Sequence, residues 1–93
     1  MTARATGSFE IVNVRGLHAR AATKLVNCAA SFPCEITVSS PEAEAVNAKS
    51  VMGVLLLCGA RGTVVDVVAE GEQADEAVDA IGQIIRDKFG EEE

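Results

Sequence analysis

Apolar and polar residues alternate with strand-like spacing in four segments of the chain. Residues 8–14 and 63–69 are rich in β-branched residues, residues 34–39 alternate strictly, and residues 44–47 form a weaker run after Pro41. Each segment predicts a strand, and residues 34–39 and 44–47 together indicate a hairpin. Because valines occupy both faces of residues 63–69, we expect that strand to lie in the interior of a sheet.

Three further segments have apolar residues at helical spacing. The first helix follows His18, is stopped by Pro33, and has its apolar stripe at Ala22, Leu25, Val26, Ala29 and Ala30. A short apolar helix over residues 51–57 is expected to start at Ser50, a favourable capping residue. The last helix has its stripe at Ala74, Ala77, Val78, Ile81, Ile84 and Ile85. Residues 91–93 are expected to form a frayed tail.

The predicted order of elements is β-α-β-β-α-β-α. Because each helix has a single apolar face, the simplest arrangement is an open-faced β-sandwich of the α+β class, in which three helices cover one face of a four-stranded, mostly antiparallel sheet. The chain has 93 residues, of which 48% are hydrophobic and 24% charged, values typical of a soluble globular protein. We therefore expect one domain over residues 1–93.

Charge and hydropathy exclude several classes of function. Fourteen acidic and eight basic residues give a net charge of −6, which argues against general binding to nucleic acid or anionic membranes. The first eight residues lack the apolar core of a secretory signal, and the longest apolar stretch, residues 51–60, is about half of what spans a bilayer. A cytoplasmic location is therefore expected.

The three cysteines, Cys28, Cys34 and Cys58, are odd in number and show no C-x-x-C spacing. This pattern indicates neither a disulfide framework nor a metal site. We interpret all three as small buried hydrophobes, with a reactive thiol as the alternative. No metal and no cofactor are expected.

The only histidine, His18, lies in a basic part of an otherwise acidic chain. Residues 11–34 contain no acid but include Arg15, Arg20 and Lys24. His18 directly precedes a helical period, so it is expected at the N-cap, where the first-turn amides have no partner within the helix and the helix dipole attracts anions. Since a capping residue is not helical, Arg20 can fold back over the same spot.

A phosphoryl group fits this arrangement better than a carboxylate. Neutral imidazole is a good nucleophile towards phosphorus, and the dipole at the helix N-terminus disfavours imidazolium. The product would be a phosphohistidine, held at the surface without being trapped. The alternative is that His18 is only a polar cap with its ring in solvent, and its position in the sequence leaves both readings open.

Two motifs resemble those of a known family. The stretch GLHAR at residues 16–20, followed by Ala22, and the stretch NAKSVMGV at residues 47–54 are similar to the two signature regions of HPr, the histidine-containing phosphocarrier family of the bacterial phosphoenolpyruvate-dependent phosphotransferase system. The similarity extends over about residues 8–89 and includes the turn at residues 59–62.

The resemblance implies a carrier that is not itself an enzyme. Phosphorylated enzyme I would pass its phosphoryl group to Nδ1 of His18, and His18 would pass it to an enzyme IIA domain, as in sugar transport. Matched by position, Arg20 would neutralise the charge of the group during transfer, and the backbone amides of Ala19 and Arg20 would support it. A shuttle between two partners is expected to be a monomer.

The second motif carries two further expectations. Ser50 matches the serine that a dedicated kinase/phosphorylase modifies in some members, although its capping role alone would explain the residue. The family uses the short helix and the turn after the histidine as an apolar docking patch with cations around it. The corresponding partner surface in this chain consists of Leu17, Thr23, Lys24, Lys49, Met52 and Leu55.

One residue departs from the family pattern, and two alternatives stay open. Ala21 stands where most members have proline, which leaves the histidine loop less rigid and puts the transfer rate in question. Within the family, the chain could be a nitrogen-related or purely regulatory phosphocarrier. From another class, a small ligand-binding regulatory domain of split βαβ type would have nearly the same order of elements.

Overall fold

A computed structural model describes residues 3–93 of the chain. The strands are β1 (Arg4–Glu10), β2 (Glu35–Ser39), β3 (Val46–Asn47) and β4 (Val64–Glu70), and the helices are α1 (Ala19–Ala30), α2 (Val51–Leu55) and α3 (Ala74–Arg86). A 3₁₀ turn, Lys88–Gly90, follows α3. The strands form one sheet in the order β1-β4-β2-β3, and every neighbouring pair is antiparallel. The predicted α+β open-faced sandwich and its order of elements are confirmed.

Strand β4 lies in the interior of the sheet, between β1 and β2, as the sequence predicts. Its inward residues Val65, Val67 and Ala69 are buried in the core. On the opposite face Val64 is exposed, because the helices cover only one side of the sheet. The valines on both faces of β4 therefore reflect its interior position, not burial on both sides.

The first strand lies earlier in the chain than predicted. We expected residues 8–14, whereas β1 spans Arg4–Glu10 and pairs with β4 from Arg4 opposite Glu70 to Glu10 opposite Val64. The Ile11 amide still donates to the Thr63 carbonyl at 2.8 Å, but the chain then enters the turn in which the Gly16 amide donates to the Asn13 carbonyl, so residues 12–14 do not continue the strand. Two other elements are shorter than predicted: β3 has only two residues, and α2 ends at Leu55.

Close packing between α3 and β1 depends on a glycine. A Cβ atom at Gly82 would lie 2.3 Å from the ring of Phe9, so only glycine lets that ring rest on the helix. The guanidinium of Arg86 then lies 5.4 Å from the ring centroid, within the range of a cation–π contact. Helix α1 packs beside α3 and also against α2, which brings the two sequence motifs together.

The cysteines do not all behave as predicted. Cys34 is buried and Cys28 is half-buried, and burial raises the pKa of the Cys28 thiol. Cys58, however, is exposed, which contradicts our expectation for that residue. Cys58 lies beyond the end of α2, in the turn that leads to Gly59, and its φ is 50°. Because it is not part of the helix, it does not share the buried face of α2. No helix in residues 3–93 is long and apolar enough to cross a membrane.

Candidate functional site

A tight turn places His18 at the start of α1. Gly16 has φ of 67°, and a Cβ atom there would lie 2.4 Å from the carbonyl oxygen of Gly59. The next amide, that of Leu17, donates to the same oxygen at 2.8 Å. Glycine is therefore required at position 16 by both conformation and space. The chain then reaches His18 in an extended conformation, and α1 begins at Ala19.

His18 occupies the N-cap of α1, as the sequence predicts. Its Nδ1 atom accepts a hydrogen bond from the backbone N–H of Arg20 at 3.3 Å. The side chain is 25% exposed, so the ring is neither packed into the core nor free in solvent. An anion attached at Nδ1 would meet the amino-terminal turn of the helix, where backbone donors and the dipole favour negative charge.

The tail after α3 is docked on this site, and our expectation that it frays is wrong. The carboxylate of Glu91 contacts Nε2 of His18, and the carbonyl oxygen of Glu93 accepts the amide of Val14 at 3.0 Å. The tail is held because Phe89 is buried in the core and its carbonyl oxygen accepts from Lys24 Nζ at 2.6 Å. Composition alone suggested a solvated run of acids, but a buried aromatic anchors it beside a basic site.

Asn13 is a site residue that the sequence analysis missed. It is completely buried, and its Nδ2 atom donates to the Gly16 carbonyl at 2.8 Å and to Glu91 Oε1 at 3.0 Å. Asn13 thus ties the histidine turn to the tail. Its hydrogen bond, followed by the one with His18, lowers the pKa of Glu91. The only signal in the sequence was an amide two residues before the Arg15-Gly16 turn.

Arg20 is exposed on the first turn of α1 and lines a cavity of about 370 Å³, which Glu91 also lines. Arg15 contributes a second guanidinium, and the acidic tail forms the opposite wall. His18 does not line this cavity, so the expectation that the Arg20 guanidinium folds over the ring stays a prediction. Ala21, the departure from the family pattern, is fully buried in α1.

The second motif lies on α2, next to α1. Ser50 is the N-cap of α2, and its Oγ accepts from the amide of Gly53 at 3.1 Å. Met52 is 75% exposed, and Leu55 and Leu56 are also exposed. These three residues form an apolar surface, which we call the α2 patch. Leu56 was not among the predicted partner residues, because a short apolar run gives no clear period from which to tell its outer face.

The other predicted partner residues are either buried or engaged in hydrogen bonds within the protein. Leu17 is buried, because its side chain packs where a Cβ atom on Gly59 would otherwise lie, so its assignment to an exposed partner surface is wrong. Thr23 uses its hydroxyl to donate to the Ala19 carbonyl at 2.9 Å. Lys24 is tied to Phe89, and Lys49 Nζ donates to the Phe32 carbonyl at 2.7 Å. The two ammonium groups are therefore held in defined positions.

Comparison with known proteins agrees with this geometry. The family described as "PTS HPr component phosphorylation site" matches residues 5–87. The phosphocarrier protein HPr of Pseudomonas aeruginosa is 42% identical over 89% of this chain and 92% of its own length, and the phosphocarrier protein NPr of Shewanella violacea is 44% identical over 87% and 88%. The crystal structure of HPr-C-His from Thermoanaerobacter tengcongensis superposes with a TM-score of 0.89 at 42% identity, covering 96% of this chain and 99% of that one. The chain belongs to the HPr family of phosphocarrier proteins of the phosphotransferase system.

Proposed function

We propose that this chain accepts a phosphoryl group on Nδ1 of His18 from phosphorylated enzyme I and passes it to an enzyme IIA domain. The observation that carries the proposal is the position of Nδ1, which lies at the N-cap of α1 and faces the Arg20 amide. A nitrogen lone pair in this place meets the helix end where negative charge is favoured. The shuttle is proposed to act as a monomer in the cytoplasm.

The chemistry is a reversible exchange of one nitrogen–phosphorus bond for another. The Nδ1 lone pair attacks phosphorus while the bond from phosphorus to the donor nitrogen breaks and returns its electron pair to that nitrogen. Arg20 and the amides of Ala19 and Arg20 then hold the phosphoryl oxygens. Charge-assisted hydrogen bonds contribute about 1.5–3 kcal/mol each and less where exposed, so a surface site binds the group without trapping it. The chain is thus a carrier and a substrate of its partners, with no turnover of its own.

The direct test is incubation of the protein with phosphoenolpyruvate and purified enzyme I, followed by intact mass measurement. We expect one added phosphoryl group that is lost in mild acid. A protein that stays unlabelled, or whose label survives acid, would contradict the proposal. A split βαβ ligand-binding domain would take up no acid-labile phosphate. Enzyme I from a sugar branch and from a nitrogen-related branch, used side by side, distinguish the two pathways that the HPr and NPr relatives represent.

Ser50 is proposed as a second, regulatory phosphorylation site, modified by a kinase with ATP. Its hydroxyl is only half-buried, and it lies beside the exposed α2 patch. A phosphate at this position adds negative charge at the edge of the surface that is proposed to dock enzyme I. The modification should therefore act on docking and leave the fold unchanged, and its product, unlike phosphohistidine, should survive acid.

Substitutions at Ser50 separate the capping role of its hydroxyl from the effect of the negative charge that a phosphate would add. Ser50→Ala removes the acceptor for the Gly53 amide and is expected to lower the free energy of unfolding by about 1 kcal/mol. Ser50→Asp keeps an acceptor there and should stay within about 0.5 kcal/mol of the unmodified protein while raising the KM of enzyme I for this substrate. Urea unfolding and transfer kinetics measure the two effects. An unchanged KM for Ser50→Asp would contradict the docking role.

The α2 patch is proposed as the surface that enzyme I and enzyme IIA share. Met52→Glu puts a charge into the centre of an apolar contact, and we expect KM to rise about tenfold with little change in kcat. Val64→Glu is the matched control, since Val64 is also an exposed apolar residue but lies on the open face of the sheet. Equal effects of the two substitutions would show that the patch has no special role.

A further inference from the structure

We propose that Glu91 is a positioning residue for His18, which holds the proton on Nε2 and stabilises the positive charge that the ring gains when Nδ1 takes up the phosphoryl group. The inference rests on the proposed function of His18. It gives a role to the acidic tail, which neither the histidine motif nor the α2 motif includes.

The hydrogen bonds of His18 identify its tautomer. A neutral imidazole carries one proton, on either Nδ1 or Nε2. Nδ1 accepts the Arg20 amide, so it carries no proton in this arrangement. The proton is then on Nε2, where its partner is a carboxylate oxygen of Glu91, which is an acceptor when ionised. The lone pair that must attack phosphorus is left on Nδ1.

Glu91 is itself held in place, which distinguishes it from a mobile surface acid. Its second carboxylate oxygen accepts from Nδ2 of Asn13 at 3.0 Å, and the buried Asn13 is fixed in turn by the Gly16 carbonyl. The Glu91 side chain is only 18% exposed, whereas Glu92 and Glu93 are exposed residues. The lowered pKa of Glu91 agrees with an ionised carboxylate at this position.

The charge balance of the transfer step gives Glu91 a second role. When the Nδ1 lone pair forms its bond to phosphorus, the Nε2 proton stays on the ring, and the ring gains one positive charge shared by both nitrogens. The donor nitrogen keeps the electron pair of the bond that breaks. A carboxylate on Nε2–H stabilises this charge, as the buried aspartate does for the histidine of a serine protease triad. When the phosphoryl group leaves, the ring returns to its neutral form.

The test combines NMR spectra of the His18 ring with transfer kinetics for two variants, Glu91→Ala and Glu91→Gln. The control is Glu44→Ala, which removes an equal charge from an exposed position on the β2–β3 turn. Long-range ¹H–¹⁵N spectra of the unphosphorylated protein report which ring nitrogen carries the proton. We expect the Nε2–H form in the native protein and in the control. In Glu91→Ala we expect a mixture of the two forms and a fall in kcat for labelling by enzyme I of about tenfold, modest because the contact is partly exposed, with KM within twofold.

Glu91→Gln retains an oxygen that can accept from Nε2–H but lacks the charge. It should keep the native tautomer and recover part of the rate. The inference is overturned if Glu91→Ala keeps both tautomer and rate, if its tautomer changes without loss of rate, or if it labels faster, which would make the tail only a repelling charge. These outcomes leave the carrier function intact, whereas a native protein that is never labelled overturns the carrier function while the spectra still test the Glu91 contact.

Discussion

His18→Ala is expected to take up no phosphoryl group from enzyme I under conditions that label the native protein completely. His18 is the only histidine in the sequence, so no second imidazole can replace it. Arg20, the first-turn amides of α1 and the α2 patch stay in place, but none of them provides a nitrogen nucleophile. Intact mass before and after mild acid measures the result.

A loss of labelling is informative only if the variant is folded. The ring is partly exposed and makes its contacts at the end of a helix, so removing it should cost about 1 kcal/mol, the usual value for a helix cap. Circular dichroism and urea unfolding test this. His18→Gln, which retains a polar side chain at the N-cap, is a second variant that should fold and stay unlabelled. An acid-labile label on either variant would place the phosphoryl group elsewhere.

Phe89→Ala is expected to lower the free energy of unfolding by about 3–5 kcal/mol. Phe89 is 2% exposed and is among the largest fully buried side chains of the core, so its truncation removes apolar contacts and leaves a cavity. A loss of this size is a large part of the roughly 5–15 kcal/mol that stabilises a typical domain. The midpoint of urea unfolding should fall accordingly, as measured by circular dichroism.

Two controls identify the cause of this effect. Phe89→Leu keeps most of the buried volume and should cost less than half as much, whereas Val64→Ala truncates an exposed apolar side chain and should change stability by less than about 0.5 kcal/mol. A change below about 1 kcal/mol for Phe89→Ala would show that the turn after α3 is not part of the cooperative core. In that case the anchor that we assign to the tail would also be absent.

Local patterns predicted most of the fold because the signals there were strong. The stripe of α3, the central strand β4 and the caps at His18 and Ser50 follow from spacing and residue type alone, and the structure contains all of them. The predicted stripe of α1 is confirmed at Ala22, Leu25 and Ala29, whereas Ala30 is exposed and Ala21 is buried instead. The error in β1 has a different origin. Residues 11–14 have the composition of a strand, but after the hydrogen bond between Ile11 and Thr63 the chain turns towards Gly16 and leaves the sheet.

The parts of the site that were missed depend on contacts between distant residues. Asn13 and Glu91 are 78 positions apart, and no periodicity links a buried amide near one end of the chain to an acidic tail at the other. Leu17 was misplaced for the same reason, since its burial depends on the absence of a side chain at Gly59. Sequence reasoning singled out His18 but not Asn13 and Glu91, the residues that hold the turn and contact the ring.

The docked tail also determines where the protein can be tagged or tethered. Any polypeptide fused after Glu93 would begin three positions after Glu91 and beside the cavity that Arg20 lines, where its own charges and bulk would crowd the surface around His18. Strand β1, in contrast, runs from Arg4 to Glu10 towards the histidine turn, so Arg4 lies about 20 Å from Glu10 along the strand. Affinity handles, fluorophores and surface linkers therefore belong at the amino-terminal end.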